Sequence, residues 1–117
     1  MALEEIDHLT GEMDRCIDSC LEAAQACEWC ADQCAGEGEE MTRCLRLCRD
    51  VADLATQCAR FCSRESAFHT RTAELCADAC EECADECAQH DAEHCQVCEE
   101  YLRECATACR DMVSAMG

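Results

Sequence analysis

The sequence predicts an all-α fold: an antiparallel, up-down-up-down four-helix bundle with a cysteine-lined core. Three observations carry that prediction. Seventeen of the 117 residues are cysteine, and they recur at steps of four and three. Those steps average about 3.5 residues, the period of the inward seam of a helical bundle. The chain has no proline and only four glycines, so little interrupts a helix. Ala, Glu, Asp, Cys and Arg dominate, and strand formers are scarce. The length suits a single domain, residues 1–117.

Helix 1 runs from near Gly11 to Cys34 on the seam Cys16, Cys20, Ala23, Cys27, Cys30, Cys34. Leu9 and Met13 continue that stripe backwards, and residues 2–9 either extend the helix or form a short separate one. Gly36-Glu37-Gly38 is a stop and turn, glycine being suited to the position after a helix. Helix 2 spans about 40–62, with Cys44, Cys48, Val51, Ala55, Cys58 and Cys62 inward. Helix 3 spans about 67–88 and carries Cys76, Cys80, Cys83 and Cys87.

The joint between helices 2 and 3 has two readings. Ser63-Arg64-Glu65-Ser66 holds no Gly or Pro, and the seam steps pass through it as Cys62, Ser66, His69, Ala73, Cys76. One helix of about 50 residues, ~75 Å long, is the alternative. Two serines available as caps, and halves that match helices 1 and 4 in length, favour a break. Helix 4 spans about 92–116, with Asp91 as its N-cap. Its seam is Cys95, Cys98, Leu102, Cys105, Cys109, Met112, Met116. Short connections favour antiparallel neighbours.

Charge and composition exclude several functions. The net charge is −18, with nine Arg and no Lys, so nucleic acid and anionic membrane are not expected partners. No apolar stretch approaches the ~20 residues of a membrane span. The acidic start Met1-Ala2-Leu3-Glu4-Glu5 lacks the regions of a secretory signal, so a cytoplasmic location is expected. Thiols stay reduced there, and an odd number of them could not all pair internally. The acidic surface reads as solubility. Helix 2 is the exception: Arg43, Arg46, Arg49, Arg60 and Arg64 oppose only Asp50 and Asp53, which fits a subunit contact or intramolecular pairing. His8 has no seam position and reads as a surface residue; Trp29 and Tyr101 lie off the seam and pack between helices or subunits. No nucleophile–base pair, carboxylate site or phosphate loop is present, so no enzyme activity is expected.

The seam itself is the chemistry. Cys16 with Cys20, Cys30 with Cys34, Cys44 with Cys48, Cys58 with Cys62, Cys76 with Cys80, Cys83 with Cys87 and Cys105 with Cys109 are i,i+4 pairs. Such residues stack on one helix face with Cβ atoms ~5–6 Å apart. Metal–sulfur bonds near ~2.3 Å let a two-coordinate ion bridge sulfurs about 4–5 Å apart. Cu(I) is soft and content with two thiolates, whereas Zn(II) wants four ligands from two helices. Cys27, Cys95 and Cys98 are rungs of the same ladder. Thiolates balanced one-to-one by Cu(I) make a nearly neutral core, and loading must expel about one proton per cysteine. Empty thiols stay neutral and pack as small hydrophobes, so the bundle is expected to fold before metal arrives.

Counting residues from the end with the two short turns puts Ala23, Val51, Ala55, Ala73 and Leu102 at similar depth, an apolar belt across the tube. Cys27, Cys30, Cys34, Cys44, Cys48, Cys80, Cys83, Cys87, Cys95 and Cys98 then lie on the turn side. Cys16, Cys20, Cys58, Cys62, Cys76, Cys105 and Cys109 lie beside or beyond the belt. Met13, His69, Met112 and Met116 gather at the far mouth, a candidate soft site where ions could be admitted.

Leu75-Cys-Ala-Asp-Ala-Cys-Glu-Glu-Cys-Ala-Asp-Glu-Cys87, His90-Asp-Ala-Glu-His-Cys-Gln-Val-Cys98 and Cys105-Ala-Thr-Ala-Cys109 resemble the copper storage proteins, specifically their cytosolic branch. The resemblance covers residues 13–112. It implies a homotetramer of four-helix bundles, each holding many Cu(I) ions, with His and occasionally Met ligands where ions are admitted. His90 and His94 are the matching positions. Two mouths therefore compete, and the resemblance favours the histidine end. The rival functions are a zinc or mixed-metal thiolate buffer, and an iron–sulfur redox carrier, whose cysteines normally come on loops.

Overall fold

The computed structural model of the chain describes residues 9–116, so the readings of residues 2–8, His8 included, lie outside the described residues. Four helices form the bundle: α1 (Gly11–Cys34), α2 (Thr42–Ser63), α3 (His69–Cys87) and α4 (Glu93–Met116). α1 packs on α2 and α4, and α3 packs on the same two. The helices thus close a ring in chain order, with the seams turned inward. Among the described residues no helix is long and apolar enough to cross a membrane.

Local chemistry sets the helix ends. Thr10 caps α1, its hydroxyl accepting from the Met13 N–H at 3.1 Å, which satisfies one otherwise orphaned donor. Leu9 stays outside the helix, half-buried against the core. Gly38 has φ 105°, and a Cβ there would stand 2.9 Å from the Glu40 carboxylate, so this turn requires glycine. Residues Glu39–Met41 wind as a 3-10 turn, and α2 therefore starts at Thr42, two residues later than expected.

The chain does break between α2 and α3, without glycine. Glu65 takes the left-handed conformation at φ 49°. The Ser66 N–H donates to the Phe61 carbonyl at 2.9 Å and the Glu65 N–H to the Cys62 carbonyl at 3.2 Å, the paired bonds of a Schellman stop. Ser66 then opens the next turn, its hydroxyl accepting from the Phe68 N–H at 3.1 Å. That turn delays α3 to His69, past the expected 67. At α4 the Ala92 carbonyl accepts the first helical bond, from the Gln96 N–H at 3.1 Å. The cap position is therefore Ala92 rather than Asp91.

The core is unusual in substance. Its largest fully buried side chains are Met13, Leu102, Met112 and Val51; most of the rest is cysteine and alanine. Outside, Arg103 reaches Asp85 and Glu99, Arg110 reaches Asp78 and Glu81, and Arg15 reaches Asp111. Exposed pairs of this kind contribute about 0–1 kcal/mol each. Stability therefore rests mainly on the packed seams. On α2, Arg43 bonds Glu82 and Glu86 of α3, so intramolecular pairing accounts for that arginine. Met116, expected on the seam, is 41% exposed: it is the last residue of α4, with no further turn to cover it.

Candidate metal centre

All seventeen cysteines are free and buried. Their sulfurs make short contacts between helices: Cys16–Cys109 at 3.6 Å, Cys105–Cys20 at 3.7 Å, Cys27–Cys98 at 3.7 Å, Cys48–Cys83 at 3.7 Å and Cys44–Cys87 at 3.8 Å. These are far longer than a disulfide and lie within reach of a bridging ion. The i,i+4 pair Cys30 and Cys34 is 4.0 Å apart, and Cys16 with Cys20, Cys44 with Cys48 and Cys105 with Cys109 fall within 4.8 Å. The shortest sulfur contacts join facing helices, because antiparallel seams interdigitate while stacked Cβ atoms stay ~5–6 Å apart.

Sulfurs within 4.8 Å of one another form repeated groups. At the far end these are Cys16, Cys20, Cys58, Cys109 and Cys20, Cys76, Cys105, Cys109; at the turn end, Cys30, Cys44, Cys48, Cys87 and Cys27, Cys48, Cys98. A fifth group joins Cys30, Cys34 and Cys95 to His94. Cys62 interacts with Cys16 and Cys58 of the far set, and Cys83 lies 3.7 Å from Cys48 of the turn set.

Cys80 corrects the count by depth. It interacts with Cys105 and Cys76, so it belongs to the far set and not to the turn side. Helical side chains lean towards the helix N-terminus, and α3 begins at the far end, so Cys80 leans that way. Ala73 precedes Cys76 on α3 and therefore lies on the far side of that cysteine, not in a belt between the sets. The apolar separation consists of Ala23 on α1, Val51 and Ala55 on α2, and Leu102 on α4, all fully buried. α3 supplies no such residue: it passes from one set to the other between Cys80 and Cys83.

Within each set the thiols shift one another's proton affinity through their mutual hydrogen bonds. Cys16 is lowered to about 5, chiefly by its hydrogen bond with Cys109. Cys30 is shifted downwards by Cys44 and then Cys48. Burial, first of all, pushes Cys34 and Cys95 upwards. A sulfur surrounded by S–H donors is stabilised as an anion, and the donors keep their protons. Metal arriving at such a group displaces its protons.

The two candidate histidines have different surroundings. His94 Nδ1 lies 3.2 Å from Cys30 Sγ and 3.6 Å from Cys95 Sγ, and its Nε2 lies 2.8 Å from a Glu37 carboxylate oxygen. Trp29 meets the ring edge-on, with centroids 6.1 Å apart. His90 is in none of these thiol groups among the described residues; its Nε2 lies 2.8 Å from Glu86. At the far mouth Met13 and Met112 are fully buried. His69 Nδ1 donates to the Ser66 carbonyl at 2.7 Å; its Nε2 is buried without a hydrogen-bond partner among the described residues.

Residues 9–114 match the copper storage protein family. The chain belongs to that family. A cytosolic copper storage protein from Streptomyces lividans, with five coppers, superposes with a TM-score of 0.87 at 39% identity over 91% of this chain and 95% of its own. Apo copper storage protein 3 from Bacillus subtilis gives a TM-score of 0.80 at 36% identity, over 86% and 97%. The uncharacterized cysteine-rich protein YhjQ of Bacillus subtilis is 35% identical over 103 residues, 86% of this chain and 95% of that protein. Within a copper storage fold, sequence reasoning passed over Glu37. It stands in the α1–α2 turn, 57 residues from the histidine it touches, and no periodicity links the two.

Proposed function

We propose that this protein stores and sequesters many Cu(I) ions as buried thiolate clusters, in the cytoplasm like its Streptomyces relative. The observation that carries the reading is the sharing of sulfurs. Cys20 and Cys109 each belong to two far-end groups, Cys30 and Cys48 each to two turn-end groups. Shared thiolates suit Cu(I) clusters in which each sulfur bridges ions, and one ion per sulfur leaves a nearly neutral core. Discrete tetrahedral zinc sites would not share ligands. The four-thiol groups do have zinc's ligand count, which makes zinc the second reading.

All seventeen cysteines are proposed as ligands, with His94 admitting copper at the turn end. His90 is assigned beside that mouth rather than on the ion, and Met13, His69 and Met112 a soft cap at the other end. A homotetramer is proposed as the assembly. Trp29 and Tyr101, exposed in the cleft between α1 and α4, support a subunit contact there. Anaerobic titration with Cu(I) against a strong chelator is the test. Uptake near one ion per cysteine is expected; saturation at about four ions that zinc then displaces would favour tetrahedral sites.

A further inference from the structure

The two nitrogens of His94 face opposite chemistries. Nε2 lies 2.8 Å from Glu37 Oε1, while Nδ1 points at Cys30, 3.2 Å away, and at Cys95, 3.6 Å away. An ionised carboxylate only accepts hydrogen bonds, so the ring nitrogen facing it carries the proton. The neutral ring then has its lone pair on the other nitrogen, inside the group formed with Cys30, Cys34 and Cys95.

We propose that Glu37 is a positioning residue for copper uptake: it holds His94 in the Nε2–H tautomer and aims Nδ1 at the mouth thiols. The inference rests on the reading of His94 as the port. A Cu(I) ion binding Nδ1 then displaces no ring proton, and the ring needs no rotation. In the opposite tautomer Nδ1–H would first have to lose its proton. The carboxylate also raises the donor strength of the ring, as in carboxylate–histidine–metal triads. Trp29 supports the ring from its edge, so the hydrogen bond selects the tautomer of a ring already confined. The Gly36-Glu37-Gly38 turn brings the carboxylate there, with Gly38 at its positive φ.

The test uses the full-length, reduced protein. Nitrogen-15 NMR of the apo protein reads the His94 tautomer, and stopped-flow transfer from a Cu(I) chelator reads uptake. Glu37→Ala should lose the Nε2–H signature and slow uptake about tenfold, the lower range for losing such a partner, with final capacity unchanged. Glu37→Gln keeps an acceptor and should keep most of the rate. Glu37→Ala with His94→Ala should be no slower than His94→Ala alone. Three results would overturn the proposal: an unchanged tautomer in Glu37→Ala, Glu37→Gln as slow as Glu37→Ala, or an added effect of Glu37→Ala without His94. The second would mean that Glu37 attracts copper by charge. Wild-type uptake in His94→Ala would instead sink the port assignment, and the ring signals would still judge whether Glu37 selects the tautomer.

Discussion

His90 lies in the α3–α4 turn and His94 in the first turn of α4, and of the two only His94 joins a group of sulfurs among the described residues. His94→Ala should therefore slow Cu(I) uptake from a chelator and His90→Ala should not, with final capacity nearly unchanged in both. Equal slowing by the two variants, followed by stopped-flow absorbance, would contradict this division. His90 has a different consequence. Its hydrogen bond to Glu86 raises its pKa, against the opposing effect of burial. The ion pair is thus fully present below the unfolded pKa of about 6.5 and fades as pH rises through the higher folded value. Denaturant titration of apo protein should find wild type more stable than His90→Ala near about pH 6, with the gap closed near about pH 9. A gap that widens with pH would reverse the sign of the argument.

Among the helices, α3 is the exception. α1, α2 and α4 each interrupt their cysteines with an apolar residue between the two sets, whereas Cys80 and Cys83 are successive seam positions on α3. The sets should therefore lose copper separately when their ligands are removed. Replacing Cys30, Cys34, Cys87 and Cys95 with Ser should empty turn-end sites and spare the far end, and Cys80→Ser should remove copper beside Cys76 and Cys105. Anomalous scattering from loaded crystals checks both; copper lost beside Cys48 in Cys80→Ser would return Cys80 to the turn side. Leu102 is the largest belt residue, fully buried. Leu102→Ala should cost about 2–5 kcal/mol of apo stability through the cavity it leaves, measured by chemical denaturation.

For the molecule as a whole, a core of neutral thiols, alanine and a few large aliphatics is still a core. Reduced, metal-free protein should be helical by far-UV circular dichroism and unfold cooperatively. A coil spectrum that becomes helical only with Cu(I) would mean that metal, not packing, forms the bundle. Loading should also release protons in proportion to copper bound, because the raised thiols Cys34 and Cys95 must ionise.

The helical class and the sulfur core were legible in the sequence. A repeat of about 3.5 residues places a side chain on one helix face whatever the neighbours do, and a thiol carries its chemistry wherever it is buried. The break after α2 was harder to read, since Glu65 adopts a conformation usually signalled by glycine. What periodicity could not give was the axial offset of one helix against another, or the direction of a side chain at a given depth. Those decided that Cys80 joins the far set, that His94 and not His90 meets the thiols, and that Glu37 stands behind it. Each depends on how loops and antiparallel seams settle against one another in three dimensions, and contacts between residues distant in the chain are set by that packing rather than by spacing along it.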